Sequence, residues 1–311
     1  MAASPRKGIS FALMCLAILA VMPLLADARP AGADALAFTI WLTFWQLVAG
    51  SPLFLLERRN NAGDAKGLPR LRGRTAFIAL FTGALFGIST YMYVIAAREA
   101  GPVSMAIALQ AYPLFAILLE TVFLGKRKTP AEIAFTALLL ASLYYLTTQG
   151  SLRITDISLW SAFALAIPLI WSVAHILLRQ LLAETAITPN QVTVSRLLIS
   201  GVFLLLVYAV AGKPGALLDC LMDFRFQAAA ILLGLAYYTE LVLWFHAMRH
   251  IDVSVASSVT VPAPAVTMLI SVVLLGGSVE GYQLWAMIVI ALALYGLLLA
   301  GKRAAMRPAS P

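Results

Sequence analysis

The sequence predicts an all-α integral membrane protein with ten transmembrane helices, arranged as two inverted five-helix repeats. This prediction rests on the composition, on the number of long apolar runs and on an internal repeat. Hydrophobic residues make up 62% of the chain and charged residues 12%, and the mean hydropathy is +0.92. Because soluble domains carry about 25% charged residues, the composition excludes an ordinary soluble globular protein.

Apolar runs of 17 or more residues alternate with charged segments along the chain. Each run is long enough to cross a bilayer as a helix. We expect helices throughout, because hydrocarbon offers no partner to an unpaired backbone group. The ten predicted spans are 9–27, 35–56, 75–97, 102–124, 131–149, 158–178, 190–211, 226–248, 253–275 and 280–300.

Several positions in the first half recur in the second half at a constant offset of 150–152 residues. The matched pairs include Gly83 with Gly234, Ala97 with Ala247, and Pro113 with Pro264. We therefore expect one repeat at 1–150 and a second at 151–311. Each half holds five spans, an odd number, so the second must enter the membrane from the opposite side.

The distribution of Lys and Arg predicts the orientation. With a cytoplasmic N-terminus, the inside segments carry 16 Lys and Arg, the outside segments carry 5, and Arg196 lies within a span. This asymmetry follows the positive-inside rule, and it predicts an inner (cell) membrane protein with both termini in the cytoplasm. With this orientation, the excess positive charge of +8 lies mainly on the cytoplasmic side. We expect that side to bind anionic lipid headgroups and not nucleic acid.

Other features limit the chemistry that the chain can perform. No predicted loop is longer than about 20 residues, and we find no phosphate-binding, zinc-protease or serine-hydrolase motif. Cys15 lies in a span and Cys220 in a loop, so neither a disulfide framework nor a metal site is expected. We expect no cofactor. The expected partners are the lipid bilayer and a small-molecule substrate, for a monomer or a homodimer.

Local motifs in the first half resemble a known family. The stretch from Ala97 to Ser104 leads to Ala111-Tyr112-Pro113 and then to Phe123-Leu124-Gly125-Lys126-Arg127. Together with the ten-span layout, these segments resemble the drug/metabolite transporter superfamily, specifically its EamA-type members, over about 9–301. The resemblance implies export or exchange of small metabolites. Many members carry Glu directly before the proline, where this chain has Tyr112, so proton coupling at that position is not implied.

An acidic residue lies near the middle of the eighth predicted span. Glu240 is about 12 Å or more from either end of the span, where an ionisable group costs roughly 2.5–3.5 kcal/mol or more and by default faces a protein interior. On a helical wheel Tyr237 and Trp244 fall within about 60° of it. This pattern predicts a cation or ammonium site lined by aromatic rings. The alternative is a Glu hydrogen-bonded to a neighbouring helix.

Basic and amide groups offer further candidates. Arg196 could bind a substrate carboxylate, pair with Glu240, or extend to the membrane surface. Gln46 is its counterpart in the repeat and could act as a neutral ligand, next to Trp45. His175 could relay protons or serve only as a hydrogen-bond donor.

Aromatic and gating residues complete the predicted site. Trp171 shares a face of span six with His175, and Gln110, Pro113 and Glu120 share a face of span four. Tyr91 and Tyr112 are candidate cavity aromatics or interfacial anchors. Proline breaks the backbone hydrogen bonding of a helix and permits bending. The candidate gating residues are Pro113, Pro262, Pro264 and Glu120.

These observations favour a secondary transporter that exports a small organic metabolite, such as an amino acid or amine-bearing compound, by alternating access. Proton coupling belongs to this hypothesis. The alternatives are a multidrug or nucleotide-sugar carrier and, less favoured, an integral-membrane enzyme. Enzymes of that kind display clustered His or Asp, whereas His175, His246 and His250 do not cluster in the sequence.

The charge asymmetry predicts that 58–74 and 302–311 are cytoplasmic. Cysteines introduced singly at Asn61 and Ser310, in a Cys220→Ser background that removes the native loop thiol, should therefore resist a membrane-impermeant thiol reagent in intact cells and react after permeabilisation. Gel-shift labelling measures both states. Reaction of either cysteine in intact cells would contradict the predicted orientation.

Overall fold

The computed structural model of the protein describes residues 5–60, 73–115, 118–119, 129–184, 188–251, 256 and 259–306. Within these ranges every regular element is helical. The first half contains α1 (Pro5–Asp27), α2 (Ala35–Asn60), α3 (Arg74–Glu99), α4 (Pro102–Leu109) and α5 (Pro130–Thr147). The second half contains α6 (Leu159–Glu184), α7 (Pro189–Ala211), α8 (Phe224–His250), α9 (Ala263–Leu275) and α10 (Gly281–Met306).

Among the described residues, 8 helices are long and apolar enough to cross a membrane. They are α1, α2, α3, α5, α6, α7, α8 and α10, and they coincide with eight of the predicted spans. Two shorter apolar helices, Pro102–Phe115 and Ala263–Leu275, fall within the predicted spans 102–124 and 253–275. Both of these spans include residues outside the described ranges, so the count of ten remains a prediction.

Local signals at the helix ends match the sequence chemistry. Thr129 caps the start of α5 with a capping box. Its side-chain oxygen accepts from the backbone N–H of Glu132, and the Glu132 side chain accepts from the backbone N–H of Thr129. Thr188 and Gln191 form the same arrangement at α7. Each box satisfies backbone N–H groups that a helix start leaves without partners.

Only two residues, Ala100 and Gly101, connect α3 to α4. Gly101 has a φ of 82°, a conformation that glycine adopts without the strain it imposes on other residues. Pro102 then begins α4 at a position where its missing N–H costs nothing. The chain therefore turns sharply between two membrane-embedded helices.

The two halves pack into each other. α3 packs against α6 and α7, and in the corresponding way α8 packs against α1 and α2. α4 packs against α6 as α9 packs against α1, whereas α2 meets α7 and α5 meets α10. The largest cluster of buried apolar side chains joins both halves through residues such as Phe38, Tyr93, Leu139, Ile167 and Leu233.

The outer surface of the bundle is apolar. Leu232, Leu269 and Leu292, each in the body of a different helix, are 57%, 62% and 63% exposed. In water such a surface would be an aggregation hazard. Such an apolar surface is instead suited to contact with the hydrocarbon chains of a lipid bilayer.

Glycines allow the closest helix contacts between the halves. Gly83 on α3 lies against α7, where an added Cβ would meet Ile199 Cγ2 at 2.5 Å, and the Gly83 carbonyl accepts from Ser200 Oγ at 2.6 Å. Its counterpart Gly234 on α8 lies against α2, where a Cβ would meet the Leu42 carbonyl oxygen at 3.1 Å. Small residues of this kind let membrane helices approach closely.

Gly83→Ala should destabilise the protein by about 1–3 kcal/mol, because the added methyl group overpacks the α3–α7 contact. Thermal unfolding of the detergent-purified protein measures the effect. Gly281→Ala is the matched control, since apart from the adjoining backbone of its own helix no described heavy atom lies within 4 Å of a Cβ at that position. Equal unfolding temperatures for the two variants would contradict the close contact.

Candidate functional site

A cavity of about 120 Å³ lies between the two halves of the bundle. Residues from α1, α3, α4, α6, α7, α8 and α9 line it, together with the segment that follows α4. Most of its wall is apolar, as in Leu19, Met22 and Leu109. A mainly apolar wall that carries a few polar groups is typical of small-molecule sites.

Most of the residues predicted from the sequence line this cavity. They are Glu240, Trp244, Tyr237, Arg196, Tyr112, Gln110, Trp171, His175 and Pro113. They come from four regions of the chain, so the fold brings together residues up to about 130 positions apart, such as Gln110 and Glu240.

Other predicted residues lie outside the lining. Trp45 Nε1 donates to Gln227 Oε1 at 2.9 Å, and Gln46 is only 1% exposed, with Oε1 unpaired. Both are on the part of α2 that packs against Gly234 of α8, and neither is among the residues that line the cavity. Tyr91 packs in a separate apolar cluster with Leu204.

The predicted gating residues divide in the same way. Pro113 lines the cavity, whereas Pro262 and Pro264 are not among the lining residues, although Ala263 between them is. Pro262 is exposed and Pro264 is buried. Glu120 lies outside the described residues.

Glu240 is 9% exposed and is held by a residue of α1. Cys15 Sγ donates to Glu240 Oε1 at 3.4 Å, and Cys15 itself is completely buried. A thiol is a weak donor, so this bond orients the carboxylate and leaves most of its accepting capacity unused. The carboxylate therefore presents free hydrogen-bond acceptors at the cavity wall.

Arg196 is buried in the bundle and does not extend to the membrane surface. The side chain is 7% exposed, and its Cζ lies 4.0 Å from the centroid of the Phe86 ring. This geometry is a cation–π contact. Nε has no hydrogen-bond partner, so Arg196 does not pair with Glu240 through Nε, although the two groups are within electrostatic range.

His175 lies among aromatic rings. Its ring centroid is 5.3 Å from that of Phe86 and 5.7 Å from that of Tyr112. Both ring nitrogens are buried without a hydrogen-bond partner. The side chain is therefore not the simple hydrogen-bonded histidine that the sequence left open.

Aromatic rings connect α3, α6 and α8 behind the cavity. Tyr93 packs edge-on against Tyr237 at 5.4 Å and stacks with Trp171 at 6.2 Å. Trp171 Nε1 donates to Ser89 Oγ at 3.0 Å. The Tyr237 hydroxyl, near Thr90, makes no well-formed hydrogen bond.

Two apolar helices are interrupted beside the cavity. The backbone N–H of Gln110 donates to Ile107 and that of Ala111 to Ala108, both at 3.0 Å, and helical bonding resumes at Phe115. In the second half, Pro262 precedes α9 and accepts from Ala265 at 3.0 Å. Interruptions of this kind leave backbone groups free of the helical ladder, and both occur where the lining residues are.

Sequence reasoning did not identify Cys15, Phe86 or Thr90 as site residues. Nothing in the apolar sequence around Cys15 marks it as a partner of Glu240. The repeat offset contained a usable signal, because it pairs Phe86 with Tyr237 and Ser89 with Glu240. Because α3 and α8 correspond in the repeat, a binding-site face on α8 predicts that the matching face of α3 also lies at the site.

A model of the EamA-like transporter family matches the chain twice, over residues 6–148 and 158–299. The chain belongs to this family. Family membership confirms the resemblance seen in the sequence and, together with the apolar helices, indicates a multi-pass membrane transporter and not an enzyme.

Two individual proteins are similar to this EamA-like transporter. The chain is 28% identical over 225 residues to a probable terminal-alkyne amino-acid exporter of Streptantibioticus cattleyicolor. The matched region covers 69% of this chain and 70% of that protein. A crystal structure described only as that of a protein has a TM-score of 0.59 and 19% identity, and it covers 98% of this chain and 100% of its own. The latter likeness concerns the fold alone.

Ser89→Ala should destabilise the protein by about 1–3 kcal/mol, because it leaves the Trp171 N–H without its partner. In a double-mutant cycle with Trp171→Phe, the two effects should be non-additive. Thermal unfolding of the four proteins measures the coupling. Additive changes would show that the hydrogen bond contributes nothing.

Proposed function

We propose that this protein is a secondary transporter that exports a small organic metabolite, an amino acid or an amine-bearing compound, by alternating access. The observation that carries the proposal is the buried carboxylate of Glu240 on the wall of a cavity inside an apolar bundle. An ionisable group at this depth is costly, and in membrane proteins such groups mark substrate or ion pathways.

Helix packing and the family matches support two inverted repeats with a boundary near residue 150. The contacts of α1–α5 with α6–α10 largely map onto themselves when the halves are exchanged, and the family model matches each half once. Inverted repeats build two gates around one central site. Bending at the helix interruptions near Pro113, Pro262 and Pro264 would open and close those gates, with both termini on the cytoplasmic side of the inner membrane.

Charge supports an amine-bearing substrate. Glu240 would bind the ammonium group, and Tyr237, Trp171 and Trp244 offer cation–π and stacking surface. A nucleotide sugar would require several cationic groups around its phosphates, and among the described lining residues Arg196 is the one arginine or lysine. The similarity to a probable amino-acid exporter agrees with this substrate class.

Proton coupling is part of the proposal. Glu240 and His175 both line the cavity, and carboxylates and imidazoles within membrane spans serve as proton relays. A proton and the substrate ammonium would then compete for the same carboxylate. Such competition links the movement of one to the movement of the other.

Glu240→Gln should reduce transport at least about tenfold, because it keeps the side-chain shape while removing the charge that binds the ammonium. The measurement is counterflow in proteoliposomes across a panel of amino acids and amines. Glu99→Gln is the control, since Glu99 is exposed at the end of α3. Parental transport by a folded Glu240→Gln variant would refute the role of Glu240.

A further inference from the structure

Arg196 and His175 share one aromatic platform at the cavity, the ring of Phe86. We propose that these two side chains form a subsite for a carboxylate group, so that the transported molecule is a free amino acid and not a simple amine. This inference rests on the proposed function, whose ammonium site is Glu240.

The platform brings two nitrogen-rich groups from different helices together. Arg196 comes from α7 and His175 from α6, and both rest on Phe86 of α3, at 4.0 Å and 5.3 Å from its centroid. All three residues line the cavity. The ring of Tyr112 also contacts the imidazole, with the two centroids 5.7 Å apart. The aromatic contacts fix the position of both groups and use none of their hydrogen-bonding capacity.

The nitrogens of this subsite are incompletely satisfied. Arg196 Nε and both ring nitrogens of His175 are buried without a hydrogen-bond partner. A buried donor without a partner costs about 1–3 kcal/mol. A neutral imidazole carries one N–H donor and one acceptor nitrogen, so an anion that accepts from Arg196 Nε and from the His175 N–H would recover the free energy of both donors. A carboxylate fits best, because a guanidinium offers paired donors in the plane that a carboxylate accepts.

The carboxylate of Glu240 does not accept a hydrogen bond from the unpaired Arg196 Nε. Glu240 is bonded instead to Cys15 of α1, and Arg196 Nε remains unpaired. The cavity therefore has separate negative and positive regions. A zwitterion satisfies both, whereas an amine, an ester or an amide leaves the Arg196–His175 subsite unmatched.

The repeat supports a single carboxylate subsite. The positions that correspond to Arg196 in the first half are Trp45 and Gln46, and neither lines the cavity. The described cavity wall therefore offers one cationic region, which is suited to a molecule with one carboxylate.

The experiment compares the binding of matched ligands to the full-length protein in detergent by calorimetry. The ligand pairs are L-phenylalanine with 2-phenylethylamine and L-leucine with 3-methylbutylamine, which differ only in the carboxylate. The wild type should bind each amino acid roughly tenfold or more tightly than its amine, because a charge-assisted hydrogen bond to a buried cation is lost in the amine.

His175→Leu and Arg196→Met should each reduce that preference to less than about threefold. The readout is the ratio of the amino-acid affinity to the amine affinity, because removal of the Arg196 charge also changes the potential at Glu240. Arg196→Lys should restore part of the preference, because it returns the charge without the planar guanidinium. His246→Leu is the matched control and should keep the wild-type preference, since His246 is exposed on α8 and lies outside the lining.

Two further outcomes separate this inference from the proposed function. Equal affinities of the wild type for amino acid and amine, or a preference that survives both subsite variants, would overturn the carboxylate subsite and leave amine transport intact. Failure of all four ligands to bind the wild type, with the protein folded, would overturn the proposed substrate class and the subsite with it.

Discussion

A bilayer interior provides no hydrogen-bond partner, and this constraint governs the structure. Large apolar residues such as Leu232 and Leu292 face outward, so polar side chains that a soluble protein would place on its surface lie between helices. Ser200 donates to a backbone carbonyl of α3, and Trp171 donates to Ser89. Three side chains with unpaired buried polar atoms, Arg196, His175 and Tyr237, lie at the cavity. Among the described residues Arg29, Gln46 and Tyr238 also carry such atoms and do not line it.

Corresponding helices of the first and second halves make corresponding contacts, but the residues at corresponding positions differ in their chemistry. Gly83 and Gly234 occupy corresponding positions and form corresponding close contacts between the halves. The position that holds Glu240 in the second half holds Ser89 in the first. Of the two, Glu240 lines the cavity, and Ser89 serves to fix Trp171. The second half thus supplies an acidic side chain to the cavity, whereas the first half supplies the hydroxyl group that holds an aromatic wall residue in place.

The sequence predicted the helices and much of the cavity because membrane depth makes polar residues conspicuous. Glu240 and Arg196 stand out from their apolar neighbours, and helical periodicity brings Tyr237 and Trp244 to the same face as Glu240. Periodicity does not reveal which helix a face will meet. Trp45 was therefore grouped with the cavity residues, whereas it bonds to Gln227. Phe86 and Cys15 could not be identified because their roles depend on Arg196 and Glu240, which are distant in the sequence.

The two-residue connection between α3 and α4 has a mechanical consequence. A linker of two residues, Ala100 and Gly101, is too short to let the helices move independently. A tilt of α3 would therefore displace the start of α4. Phe86 on α3 and Gln110 at the end of α4 are both parts of the cavity wall. The ring beneath the arginine and the interruption after α4 are therefore joined through this short connection, so a tilt of α3 would shift two parts of the cavity wall together.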